Sequence, residues 1–141
     1  MKKLILISIF IISQISFAIE AGKYDGVTAQ GGPCTITINS ISFIEGVHDP
    51  INQRFDFQMG ALKSTLQYLP IIRADRSEVD YDHDHLTGTL VANGMRMAFI
   101  LTVSHSGGHE TITKMERVYQ DFNHPTVSST VQCLDLKIAK K

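Results

Sequence analysis

The amino-acid sequence predicts an all-β protein: a single antiparallel meander, closed or nearly closed into a small β-barrel of about eight strands and carrying one disulfide. Three observations predict it. Apolar and polar side chains alternate with period two along much of the chain, and β-branched residues are prominent, as suits strands that bury one face. Gly, Asn and Pro punctuate these runs at short intervals, with no long linker, internal repeat or low-complexity tract between them. Two cysteines, Cys34 and Cys133, stand 99 positions apart, near the two ends of the segment that follows an apparent export signal.

That signal is read from residues 1–18. Lys2 and Lys3 form a positive start, an apolar run from Leu4 to Ile12 is interrupted only by Ser8, and Ser16-Phe17-Ala18 places small residues at −3 and −1 of a cut after Ala18. The run is too short for a spanning helix, which needs about 20 apolar residues. The expected product is residues 19–141, enough for one domain and too few for two. Removing Lys2 and Lys3 leaves 11 basic and 14 acidic side chains, a net charge of −3. That balance leaves no basic footprint for nucleic acid and no strong pull toward an anionic membrane surface. The expected location is the periplasm or the exterior. There, a lone cysteine pair most simply forms a disulfide; free thiols or a metal pair are the alternatives, and two cysteines without CxxC spacing make a poor zinc site.

Taken in order, Lys23 to Ala29 reads as the first strand, ended by Gly31-Gly32-Pro33. Cys34, Ile36 and Ile38 share one face of the second. Gly46 to Pro50 is a loop. Phe55, Phe57 and Met59 alternate with Arg54, Asp56 and Gln58 in the third strand, which Gly60 ends. Leu62, Leu66 and Tyr68 share a face of the fourth, and Pro70 is expected to break or bend it. Ser77 to Asp82 is a weaker strand. His85 to Ala92 is the next, joined through Asn93-Gly94 to a strand over Met95 to Val103, because Asn and Gly accept positive φ cheaply. Ser106-Gly107-Gly108 turns again, Asn123-His124-Pro125 is a loop, and the last strand runs from about Val127 to Ile138. Between them, Glu110 to Phe122 fits either a helical stripe (Ile112, Met115, Tyr119, Phe122) or a strand; its hairpin-like neighbours favour strand. The total is eight or nine strands, and a disulfide joining the second to the last favours closure.

Gly22-Lys23-Tyr24 resembles the Gly-x-Trp that opens lipocalin-type barrels, with Tyr24 in place of the Trp. Ser104-His105-Ser106-Gly107-Gly108 is similar to the Ser-Gly-Ser-Gly loop of periplasmic lysozyme inhibitors, with His105 in place of the first Gly. The first resemblance implies a ligand-carrying barrel. The second implies a small disulfide-containing barrel that binds an exported hydrolase through a loop.

No catalytic motif stands out. Gly-x-Ser-x-Gly and a phosphate-cradling Gly-rich loop are absent, and His105 beside Ser104 and Ser106 is a sequence neighbour, whereas a triad is a spatial arrangement. No cofactor is implied. The densest polar cluster is Tyr81-Asp82-His83-Asp84-His85. On a regular strand His83 and His85 share a face and are candidate metal ligands, with His105 or His109 as a third; the plainer reading is an exposed polar edge. The acidic residues from Asp75 to Asp84 do not fit an EF-hand, because neither Gly at the sixth position nor Glu at the twelfth follows from Asp75 or Asp80. Phe55, Phe57, Met97 and Phe99 either line a pocket for a small apolar ligand or form ordinary core. The favoured expectation is a non-enzymatic binding module that meets another exported or envelope protein through the loops at Gly46 to Asn52 and at Ser104, His105, Ser106 and His109. A carrier of a small apolar ligand is the alternative.

Overall fold

The alternating segments form eight strands: β1 (Gly22–Thr28), β2 (Pro33–Phe43), β3 (Gln53–Met59), β4 (Leu62–Ile72), β5 (Val79–Ala92), β6 (Met95–Ser106), β7 (His109–Asp121) and β8 (Ser128–Ile138). They are seen in a computed structural model, which describes residues 18–44, 52–72, 79–92, 94–124 and 128–140. Each strand pairs antiparallel with its neighbour in sequence, and β1 pairs with β8, so the sheet closes into a barrel. Closure leaves no open sheet edge. Among the described residues no helix is long and apolar enough to cross a membrane.

The interior is made by the inward half of each alternation. Ile36, Ile38, Phe55, Phe57, Leu66, Leu86, Phe99, Leu101, Ile112 and Met115 are all buried and belong to one apolar cluster. The rings of Phe57 and Phe99 lie 5.0 Å apart, and Phe55 meets Tyr68 edge-on at 5.9 Å. No polar or charged residue among those described is fully buried.

Four irregularities explain where the sequence pattern departs from strict alternation. The β6–β7 register slips between Thr102 and Val103, so Thr113 is an extra residue in β7. Ile112 and Met115, three apart, therefore both face inward, and this is the spacing that imitates a helix. In β8, Asp135 takes a left-handed conformation (φ 52°), and Cys133 and Leu136 are both buried across it. In β2, a slip at Asn39 likewise separates inward Ile38 from Ile41. The largest slip is in β5. Tyr68 pairs with Leu86 and Leu69 with Asp82, leaving His83, Asp84 and His85 bulged out of the β4 ladder. From Val79 on, the two strands expected over Ser77 to Asp82 and His85 to Ala92 are thus one strand with a bulge; Ser77 and Glu78 lie outside the described residues. Pro70, expected to break or bend β4, does not end it: the strand pairs through Pro70 to Ile72.

Cys34 and Cys133 are bonded, with their Cα atoms 6.0 Å apart. Strand β1 lies between the two, and the bridge crosses its inner face at Gly26. A Cβ there would overlap the Leu134 carbonyl and come within 3.3 Å of the Cys133 Sγ. Gly88 marks a similar close approach, since a Cβ there would sit 2.6 Å from both the Leu66 Cδ2 and the Thr65 carbonyl oxygen.

An up-and-down barrel sorts its connections by parity. The start of β1, the end of β8 and the β2–β3, β4–β5 and β6–β7 connections share one end, here termed terminal. The other four connections share the distal end.

Candidate functional site

The terminal end gathers most of the polar residues singled out from sequence. The hairpin between β6 and β7 pairs Ser106 with His109 across Gly107 and Gly108, whose φ angles of 59° and 81° suit a tight two-residue turn. One step back in that register, His105 pairs with Glu110. The β2–β3 connection leaves from the same end, and the Ile44 amide donates to the Asn52 carbonyl at 3.0 Å, bringing its two sides together. The Gly46 to Pro50 loop itself lies outside the described residues. The ends of β2 and β3 that flank it and the 105–109 hairpin therefore lie at the same end of the barrel.

The bulge in β5 rebuilds the His–Asp cluster. Asp82 Oδ1 accepts the Asp84 amide at 2.8 Å, and Asp82 Oδ2 lies 2.6 Å from His85 Nδ1. Regular alternation, which would put His83 and His85 on one face with both aspartates opposite, does not survive this turn. The His83 ring instead packs 5.7 Å from the Tyr68 ring. Burial pushes the Asp82 carboxyl up, but hydrogen bonds from His85 and the Asp84 amide, with the nearby imidazoles, outweigh it and hold the carboxyl below its ordinary range.

His105 joins the strands. Its Nε2 lies 3.0 Å from the His83 carbonyl oxygen and 3.3 Å from Asp84 Oδ1, and its Nδ1 lies 3.4 Å from Glu110 Oε1. Glu110 in turn accepts from the Tyr68 hydroxyl. Burial first, then the charge and hydrogen bonding of Glu110, raise the Tyr68 phenol to about 12. Tyr24 is raised to about 12 as well, by burial and by the charge of Glu20, although its hydroxyl donates to the Glu20 carbonyl at 2.7 Å. A cavity of about 160 Å³ lined by Glu20, Tyr24, His109, Glu110, Thr111 and Ile138 opens beside this network.

The remaining sequence candidates fall elsewhere. Phe55, Phe57, Met97 and Phe99 are between 0% and 4% exposed within the packed core. Among the described residues no group of three or more His, Cys, Asp or Glu side chains is arranged to hold a metal ion. Ser104 is half-buried, while His105, Ser106 and His109 are exposed at the hairpin tip. Two members of the network were not singled out from sequence, Tyr68 and Glu110. Glu110 had a usable signal, because a two-residue Gly-Gly turn sets the register that places it opposite His105. Tyr68 had none, since its hydroxyl reaches the cluster only through closure of the barrel.

Comparison with protein-family models, with curated proteins and with solved structures finds no match for this chain. The likenesses to lipocalin-type barrels and to lysozyme-inhibitor loops rest on the few residues that carry them and on the barrel itself.

Proposed function

We propose that this chain is an exported, non-enzymatic recognition module whose terminal barrel end binds another exported or envelope protein, an envelope-targeting hydrolase being one such class. The observation that carries this reading is the polar 105–109 hairpin, braced by His105 between Asp84 and Glu110, at the barrel end where β2 ends and β3 begins. Loops held by a rigid scaffold are the usual place for recognition. The close packing of Phe55, Phe57, Met97 and Phe99 supports a surface over a luminal ligand site. Export to the periplasm or beyond is supported by the signal layout of residues 1–18 and by a disulfide in a small barrel. Ile19, the residue after the expected cut, is buried against the core, which fits a folded domain beginning there.

Site-specific photo-crosslinking in intact cells tests the proposal. A crosslinker at Ser106 is expected to trap one discrete adduct that a crosslinker at distal Gln30 does not. Absence of an adduct at Ser106, or the same adducts from both positions, sinks the reading.

A further inference from the structure

Arg117 crosses the barrel interior toward the distal end. It sits in β7 opposite Phe99, whose side chain is buried, so the register turns Arg117 inward as well. Strands β3 and β7 stand on opposite walls of the eight-strand ring, and Arg117 Nη1 reaches to 3.8 Å from the Met59 Sδ on β3. The guanidinium carbon lies 4.5 Å from the centre of the Tyr119 ring. Its Nε is buried with no hydrogen-bond partner, and among the described residues no carboxylate pairs with it. The side chain as a whole is half-buried, but a buried N–H without a partner is costly, and a thioether and a ring face compensate only weakly.

The rim around it is apolar. Met59, Leu62, Leu90, Ala92 and Tyr119 pack on the core yet stay partly open, and Met95 and Phe122 are 38% and 53% exposed. A cleft of about 320 Å³, lined by Met95, Tyr119, Asp121 and Ser129, opens at the ring that Arg117 covers. Guanidinium matches carboxylate as a two-toothed pair. The rim suits a short alkyl or aryl body, and the cleft volume lies at the small end of ligand sites. Asp121, held by the Asn123 amide and His124, lines the cleft as well and repels a carboxylate, so the cleft suits the apolar body and the acid group belongs on Arg117.

We propose that the distal end binds a small monocarboxylate with a short apolar body, its carboxylate on Arg117 and its body along Met95 and Tyr119. This site is independent of the terminal end and lies at the barrel mouth, outside the filled core. The probe is octanoate, titrated into the oxidised protein while NMR follows the Arg117 Nε–Hε resonance and the Tyr119 ring. Both are expected to shift saturably, and octyltrimethylammonium is expected to leave the Nε resonance in place. Arg117→Met should weaken octanoate by about tenfold or more, as loss of a charge-assisted pair requires, with Arg117→Lys between. No saturable movement of the Nε resonance, an equal response to the ammonium, or unchanged affinity in a folded Arg117→Met protein overturns the proposal. Should Arg117→Met fail to fold, the wild-type Nε titration decides alone.

Discussion

Gly88 shows how much can hang on one missing methyl group. Its strand turns it toward β4, where a Cβ would meet both a Leu66 methyl and a backbone oxygen at 2.6 Å. A side-chain tip can rotate away; a carbonyl in a sheet ladder cannot move without dragging its strand. Gly88→Ala is therefore expected to destabilise the fold by about 1–3 kcal/mol, the usual range for overpacking. Urea unfolding of wild type and variant measures it, and a neutral result would mean that the two strands approach less closely than they do here. Arg117 is the complementary case, a residue whose stem fills space while its head has no counter-charge among the described residues. Neither residue is conspicuous in the sequence, because each depends on what lies across the barrel.

At the scale of the element, the slips in register deserve the most weight. A strand that alternates without interruption has to display its polar residues uniformly on the outer wall. The bulge at 83–85 takes three consecutive polar residues out of the β4 ladder, and Asp82 closes the turn by accepting the Asp84 amide and pairing with His85. The pairing has a pH signature. The Asp82 carboxyl is held below its ordinary value of 3.8 in the fold. Its stabilising contribution is thus fully present above that value and is lost as pH falls through the lower folded pKa. Asp82→Asn removes this contribution, so the stability gap between wild type and variant should be open at pH 7 and close toward pH 2.5. Denaturant midpoints at the two pH values check it; a gap that widens in acid has the wrong sign.

For the molecule as a whole, closure is the governing feature. The β1–β8 ladder joins the first strand to the last, and the Cys34–Cys133 bond crosses β1 at the same seam. A cross-link over this length of chain restricts the unfolded state by about 4–5 kcal/mol in the chain-entropy picture. The Cys34→Ala, Cys133→Ala double variant is expected to lose stability of that order, read from urea unfolding. A loss below about 1 kcal/mol would place the stability of the seam in the ladder and the packing around Gly26, outside the range a cross-link supplies.

Much of this architecture was legible from local chemistry. Period-two runs such as Arg54 to Met59, the Gly107-Gly108 turn and the spacing of two cysteines depend on neighbours along the chain, and they correctly implied a closed antiparallel barrel with one bridge. The bulges were not legible, because an extra residue is defined by the partner strand it fails to pair with. Ile112 and Met115 consequently resembled a helix, and the single strand β5 resembled two. The candidate sites divide along the same line. The histidines and aspartates were visible as a cluster, whereas the reach of Tyr68 and Glu110 into it, and of Arg117 across the lumen, came only when closure set distant strands face to face. Alternation along a strand is encoded by the strand itself, while the company its side chains keep is set by the ring.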